Sequence, residues 1–123
     1  MKRWARGLGA ALLAATAAAS ASGAAQLSVK PSYGGGLVIG SIRAGAATQL
    51  AGVWSPTGRA RLLRCQPRCE AVSSIPVHGT LLLTEKSAYR VVLGGTLQPG
   101  TVLPLTLRLS NGQLLNVTAR VQP

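Results

Sequence analysis

The feature that most constrains the fold is a recurrence of short runs rich in Val, Ile and Leu, separated by Gly, Pro, Ser and Asn. None of these runs shows helical periodicity. Short apolar runs at this spacing, with turn residues between them, are typical of a β-sandwich or β-barrel. We therefore predict an all-β domain of about seven strands. The predicted strands are Leu37–Arg43, Gln49–Trp54, Ala60–Arg64, Thr80–Thr84, Tyr89–Leu93, Val102–Leu109 and Leu114–Val121.

The last two predicted strands carry the clearest local pattern. From Leu105 to Leu109 apolar side chains alternate with Thr and Arg, which predicts one buried and one solvent-facing side. The dipeptide Asn111-Gly112 follows, and Asn-Gly favours a two-residue type I′ turn because both residues tolerate positive φ. We predict a β-hairpin here, preceded by a turn at Gln98-Pro99-Gly100.

The beginning of the chain has the pattern of a secretory signal peptide, residues 1–21. A basic segment is followed by an uncharged, Ala-rich stretch over residues 8–19 and by the small-residue sequence Ala19-Ser20-Ala21. We predict cleavage before Ser22, with alternatives up to residue 25, and export to the periplasm as a soluble protein. An uncleaved anchor is disfavoured because the apolar run is short. Residues 22–36 are predicted to be a flexible lead-in with at most one short strand, and residues 37–123 the folded domain.

The charge balance is strongly basic. The chain has 13 Lys and Arg against two acidic residues, and three of the basic residues belong to the N-terminal segment. The remaining positive charge attracts anionic surfaces, so an acidic protein or a membrane surface is the expected partner. Nucleic acid is not expected, because export removes it from reach and base-stacking aromatic residues are scarce. The alternative is that the Arg-rich composition reflects coding bias alone.

The residue types that are missing constrain the chemistry and the core. The chain has one histidine, His78, and only two carboxylate side chains, Glu70 and Glu85, with no Asp. A catalytic triad cannot be assembled from this set, so an enzyme is not expected. The chain also has no Phe, so the core must be built from Leu, Val, Ile and Ala. Trp54 is expected to pack in the core or at its rim.

The sequence Cys65-Gln66-Pro67-Arg68-Cys69 is the main candidate for chemistry. In an oxidising compartment, two cysteines at this spacing favour a disulfide. In reduced form the pair offers two soft thiolates, which suit Cu(I), and the flanking Arg64 and Arg68 favour the thiolate form. His78, at a predicted turn, is either simply exposed or a third metal ligand. The spacing alone leaves a structural disulfide and a metal or redox site both open.

Several short apolar segments follow one another in a recognisable order: Thr48–Pro56 with Gly58-Arg59, then Ile75–Leu83, Tyr89–Leu93 and Leu97–Leu107. In this order and spacing the chain from Gly36 onward resembles the periplasmic PCuAC-type copper chaperones. The resemblance implies a cupredoxin-like Greek-key sandwich or barrel. It also implies copper, as Cu(I), as the cargo, and a copper-site acceptor protein or cytochrome oxidase subunit as the partner.

The sequence departs from that family at the metal motif. The family places a His after the Gly-Arg strand, a Met in the following loop, and a His-x-Met after a Tyr. Here Leu63 occupies the first His position, and Arg90 and Val92 occupy the His-x-Met positions. None of these three side chains suits copper. Cys69 lies near the loop Met position and Cys65 lies close to the lost His, which implies a remodelled site with sulfur ligands.

Three hypotheses about function follow. In the first, Cys65 and Cys69 bind Cu(I), with His78 or an external thiol completing the ligand shell. In the second, the domain is a metal-free exported binding module, closed by a disulfide, whose Arg cluster binds an acidic partner. In the third, the cysteines exchange thiol and disulfide with a copper protein. The Arg cluster consists of Arg59, Arg61, Arg64 and Arg68.

Overall fold

The computed structural model describes residues 23–123, and these residues form strands joined by turns, without a helix. The all-β prediction is confirmed. The predicted signal peptide lies outside the described residues, and no described helix is long and apolar enough to cross a membrane. The strands of the described part are β1 (Ala24–Ser32), β2 (Gly35–Arg43), β3 (Thr48–Ser55), β4 (Gly58–Arg59), β5 (Arg61–Cys65), β6 (Cys69–Ala71), β7 (Ile75–Val77), β8 (Thr80–Leu83), β9 (Tyr89–Gly94), β10 (Val102–Leu109) and β11 (Leu114–Val121).

The strands form one curled sheet. Their order is β4-β3-β10-β11-β1-β2-β9-β5-β6, with β7 added to β3 and β8 added to β2. β4 lies at one end of this order and β5 near the other, although only Ala60 separates them in sequence. Ala60 is buried, and its N–H donates to the carbonyl of Val53 at 2.8 Å. The sheet therefore curls into a half-barrel that encloses one of its faces.

β1 corrects the prediction of a flexible lead-in over residues 22–36. It pairs antiparallel with β2 along its whole length, from Ala24 opposite Arg43 to Ser32 opposite Gly35. Leu27 and Val29 are buried in the core. The prediction is wrong because only these two large apolar residues alternate in a stretch otherwise rich in polar residues and glycine.

β1 also joins the two halves of the sheet. On the side away from β2 it pairs in parallel with β11, at Ser28 opposite Arg120 and Val29 opposite Val121. The backbone N–H of Gln122 donates to the carbonyl of Val29 at 2.7 Å. The Gln122 side-chain amide donates to Ser28 Oγ at 3.0 Å. This short contact connects β4-β3-β10-β11 to β2-β9-β5-β6.

All seven strands predicted from the apolar runs are present, each within two residues of its predicted bounds. The turn predicted at Gln98-Pro99-Gly100 is also confirmed, since the N–H of Thr101 donates to the carbonyl of Gln98 at 3.2 Å. Besides β1, the strands missed are β4, β6 and β7, which have only two or three residues each. Such short strands do not show a measurable alternation of apolar and polar residues.

The hairpin between β10 and β11 is confirmed, but its turn is not the predicted type I′. The N–H of Leu109 donates to the carbonyl of Gln113 at 2.9 Å, and the N–H of Gly112 donates to the carbonyl of Leu109 at 3.0 Å. The loop therefore has three residues. Gly112 has a φ of 91°, whereas Asn111 has a negative φ and accepts the Gln113 N–H at its side-chain oxygen. A three-residue loop needs the left-handed conformation only at its last position.

The enclosed face of the sheet holds a core of aliphatic side chains. No polar or charged side chain of residues 23–123 is buried there. The prediction that Leu, Val, Ile and Ala build the core is confirmed, and the removal of their apolar surface from water is the main stabilising term. The largest core side chains, each no more than 1% exposed, are Ile42, Leu50, Ile75, Leu83, Leu93, Leu105, Leu107 and Leu109.

Strand β8 provides a matched test of the inner and outer faces. Leu82 and Leu83 are neighbours in this strand, but Leu82 is 64% exposed and Leu83 is 1% exposed. We expect Leu83→Ala to lower the free energy of unfolding by about 2–5 kcal/mol, because it leaves a cavity in the core. Leu82→Ala should change it by less than about 0.5 kcal/mol. Urea denaturation followed by circular dichroism measures both, and equal losses would contradict the assigned faces.

An exposed ion pair connects β1 to the turn between β8 and β9. Lys30 Nζ lies 2.5 Å from Glu85 Oε1. The hydrogen bond from Lys30, followed by its positive charge, holds the pKa of Glu85 below its ordinary value, and the charge of Lys86 adds a smaller effect. Both paired side chains are about half exposed, so the pair contributes little to stability.

We expect an NMR titration to show Glu85 ionising at a lower pH than an unpaired glutamate. Lys30→Gln should raise its pKa towards the ordinary value, and Lys86→Gln should raise it less. Because the folded-state pKa is depressed, the pair stabilises the fold above the unfolded-state pKa, and this contribution is lost as the pH falls through the folded-state pKa. A larger effect from Lys86→Gln than from Lys30→Gln would show that the assigned partner is wrong.

Candidate functional site

The two cysteines face each other across the β5–β6 hairpin. Cys65 is the last residue of β5 and pairs directly with Cys69, the first residue of β6. Their sulfurs form a disulfide with an S–S distance of 2.03 Å. The loop between them contains a cis peptide bond before Pro67, and the N–H of Gln66 donates to the carbonyl of Arg68 at 3.2 Å. Of the two states that the sequence left open for this pair, the structure contains the disulfide.

The hairpin is fixed to its neighbours at one end and open to solvent at the other. The N–H of Cys65 donates to the carbonyl of Ala88 at 2.6 Å, which ties the hairpin to the chain just before β9. Cys69 is exposed and Cys65 is half-buried. Arg64 lies 3.9 Å from Glu70, and Arg68 extends from the loop into solvent. The disulfide is therefore accessible to another molecule and lies in a mainly cationic surrounding.

The positions that correspond to the family's copper ligands converge on the same sheet face as the cysteines. Leu63 lies directly opposite Arg90 of β9, and Val92 lies two residues further along that strand. Residues that face each other across two strands, or are two apart in one strand, share a face. Leu63, Arg90 and Val92 therefore lie with Cys65 on the outer face, since Leu62 and Val91 between them are buried. The Arg90 guanidinium is held by a hydrogen bond to the carbonyl of Ser87 at 3.2 Å.

His78 is not brought to the cysteines. It occupies the turn between β7 and β8, where it is exposed and is followed by Gly79. Among residues 23–123, no three His, Cys, Asp or Glu side chains are grouped closely enough to hold a metal ion. The three-ligand set of Cys65, Cys69 and His78 is thus not formed in this structure.

Arg59 contacts an aromatic ring. Its guanidinium lies 5.3 Å from the ring centroid of Trp54 and donates to the carbonyl of Ala51 at 3.3 Å. The Trp54 ring in turn covers Gly52, where an added Cβ would lie 2.5 Å from the ring. Trp54 therefore packs at the rim on the outside of the sheet, one of the two placements expected for it, and a side chain at position 52 would have to displace the ring. The cation–π contact orients the Arg59 guanidinium.

The four arginines of the predicted cluster divide into two pairs. Arg64 and Arg68 belong to the cysteine hairpin, whereas Arg59 and Arg61 line a groove of about 320 Å³ beside the β1–β2 turn. Tyr33, in that turn, also lines the groove and is fully exposed. Sequence analysis missed Tyr33 because the turn lay in the predicted lead-in. No carboxylate belongs to the lining of this groove.

The chemistry available at the hairpin depends on its redox state. In the disulfide the two sulfurs are bonded to each other and provide no thiolate for a metal. Reduction would leave two cysteines directly opposite each other, both able to become soft thiolate ligands. The pair can therefore act as an exchangeable disulfide or, after reduction, as a two-sulfur metal ligand set.

Comparisons with known proteins show what this fold is similar to. A scan against protein-family models found no match, and a search of curated proteins found none. Among solved structures, the chain is similar to the solution structure of Cu(I)-DR1885 from Deinococcus radiodurans, with a TM-score of 0.60 and 23% sequence identity. The similarity covers 81% of this chain and 76% of that one. The expected cupredoxin-like fold is thereby confirmed.

Proposed function

We propose that this protein is an exported copper-handling protein that carries Cu(I) on the reduced Cys65–Cys69 pair. It would pass the metal to a copper-site acceptor in the periplasm, such as a cytochrome oxidase subunit during assembly. One observation carries the proposal: the cysteines face each other on the outer face of the sheet beside Leu63 and Arg90. These neighbours occupy positions at which the copper chaperones that the chain resembles hold their metal.

The fold and the charge of the site support this function. A protein with the same fold has been solved with Cu(I) bound. Thiolates are soft ligands that suit Cu(I). Two thiolates and one Cu(I) carry a net single negative charge, which Arg68 in the hairpin loop would stabilise. The same arginine would repel a free metal cation, so delivery of copper by another thiol ligand is favoured over capture of the free ion.

The disulfide makes copper loading depend on prior reduction. A thiolate of a partner dithiol attacks the exposed sulfur of Cys69, forming a mixed disulfide and releasing the Cys65 thiolate. The second thiol of the partner then attacks the mixed disulfide, so the partner leaves as a disulfide and Cys69 is also reduced. Two electrons and two protons thus pass to this protein. Binding of Cu(I) to the pair then releases the protons of the two thiols.

A second function, that of a metal-free binding module, is favoured by the arginine groove. Arg59 and Arg61 line one groove with the exposed Tyr33, and Arg59 is already oriented by Trp54. Two guanidinium groups in one groove suit a carboxylate of an acidic partner. In this function the disulfide only closes the hairpin. A thiol–disulfide role towards a copper protein is the third proposal, and it would use the exchange steps alone.

Copper binding can be tested by anaerobic titration of the reduced protein with Cu(I) in competition with a chelator. We expect one Cu(I) per chain, and we expect this binding to disappear in the Cys65→Ser, Cys69→Ser variant because both soft ligands are lost. His78→Gln is the matched control, and it should leave the affinity unchanged because His78 lies outside the hairpin. Absence of binding by the reduced protein would overturn the copper proposal and leave the metal-free module and the thiol–disulfide role.

Reduction of the disulfide should weaken the domain without unfolding it. The bond closes a loop of five residues, and the loss of such a short constraint should lower the free energy of unfolding by about 2 kcal/mol. Urea denaturation with and without a reductant measures this change. The Cys65→Ser, Cys69→Ser variant should match the reduced protein and should not respond to the reductant. Complete unfolding on reduction would show that the bond is essential to the fold, contrary to a reversible copper or exchange site.

A further inference from the structure

The junction between β1 and β11 opens into a groove. The two strands pair only at Ser28–Arg120 and Val29–Val121. On the N-terminal side of these pairs the two strands are no longer paired with each other. A groove of about 650 Å³ lies between them there, lined by residues 23–27 on one side and by residues 114–118 on the other. Apart from Gly23, which precedes β1, the lining residues belong to β1 and β11. The groove is therefore a gap between two neighbouring strands.

Each side of the groove has backbone N–H and C=O groups that are not hydrogen-bonded to a neighbouring strand of the described chain. In an antiparallel pair, alternate residues direct both their N–H and C=O towards the same neighbour. The carbonyl of Val29 is directed at β11, where it accepts from Gln122, and the Ser28–Arg120 register places the Leu27 carbonyl against the N–H of Arg120. By the same alternation, the N–H of Leu27 and both backbone groups of Ala25 are directed into the groove. On β11, Val121 bonds to Thr101 on the β10 side.

The alternate residues of β11 therefore face the groove. Thr118 and Asn116 lie two and four residues before Arg120, which is registered with Ser28 of β1. Their N–H and C=O groups point at the same gap as those of Ala25 and the N–H of Leu27. Two unpaired strand edges facing each other are a template for one additional extended strand.

The inner side of the groove is apolar. Ala25 and Val117 are partly buried and pack against the core, and Leu27 and Leu115 belong to the core itself. Successive side chains of an added strand would point alternately inward and outward. Its inward side chains would contact these four residues, so they must be apolar.

Three arginines lie near the ends of the groove on the outer face of the sheet, although none of them belongs to its lining. Arg43 is paired with Ala24 at the open end of β1, Arg108 is paired with Leu114 at the open end of β11, and Arg120 lies at the closed end. All three side chains are exposed and lie on the outer face. Arg120 also donates to the carbonyl of Gly100 at 3.2 Å. The outward side chains of an added strand would be stabilised if they were acidic.

We propose that this groove binds an extended segment of a partner polypeptide, about four or five residues long, in which apolar and acidic residues alternate. The segment adds a strand between β1 and β11, with its apolar residues on the core and its acidic residues among Arg43, Arg108 and Arg120. Neither acidic residue of the described chain occupies the groove, because Glu70 lies beside Arg64 and Glu85 is paired with Lys30. This site is separate from the cysteine hairpin and does not depend on copper.

The test uses the purified protein and a synthetic hexapeptide of alternating Val and Glu with blocked termini. Amide hydrogen exchange measured by NMR should slow at least tenfold for Ala25, Leu27, Asn116 and Thr118 when the peptide is added. A Val–Lys peptide of the same length is the control, and it should give no protection. Binding of the Val–Glu peptide should weaken as salt is raised, because exposed charges are screened.

Variants separate the charge from the backbone contribution. Arg43→Gln with Arg108→Gln should weaken Val–Glu binding at least tenfold, whereas Lys86→Gln, away from the groove, should not change it. Asn116→Pro removes one groove-facing N–H without removing a bond to β10, and it should also weaken binding. The arginine variants keep the backbone intact, so the test remains decisive if the proline variant fails to fold.

Two results would overturn the proposal. One is the absence of protection of the four amides by the Val–Glu peptide, whether the peptide fails to bind or binds to another surface. The other is protection of the same amides that rises with protein concentration in the absence of peptide. That result would mean that a second copy of this chain, rather than an acidic segment, occupies the groove.

Discussion

Two residue pairs hold the halves of this sheet together, Ser28 with Arg120 and Val29 with Val121. On one side of them lie the strands that carry Trp54 and the β10–β11 hairpin, and on the other lie the strands that carry the cysteines. The chain itself crosses between the same two halves several times, most abruptly at Ala60 between β4 and β5. The core side chains pack between the two halves. The half-barrel thus depends on a short backbone contact that the aliphatic core alone could not specify, because aliphatic burial is non-directional.

Much of the fold could be predicted from the sequence because most strands alternate clearly or form strongly apolar runs. β10 and β11 show this best, with Leu105, Leu107 and Leu109 all buried. β1 was missed for a physical reason: pairing with β2 is a backbone property, and side chains such as Gln26 and Ser28 leave little trace of it. The turn at Asn111-Gly112 shows the same limit. The sequence indicates a turn, but the loop length depends on which backbone groups of Leu109 and Gln113 meet.

The candidate site could be predicted in part. The spacing of Cys65 and Cys69 indicated either a disulfide or a pair of thiolates. The two residues are paired directly across the β5–β6 hairpin, and this geometry is compatible with the disulfide and, after reduction, with the thiolate pair. The separation of His78 from the hairpin could not be predicted. The position of its turn is set by the pairing of β7 with β3, which the sequence does not reveal. Nor could the division of the arginines, since Arg59 and Arg61 share a groove only because the β1–β2 turn lies beside them.

The pairing of β1 with β11 also affects when the domain can fold. The side chains of Gln122 and Ser28 meet across 94 residues of sequence, and contacts between such distant residues form late because a long loop must close first. Until β11 has been synthesised, β1 lacks its neighbour on that side and the two half-sheets cannot be joined.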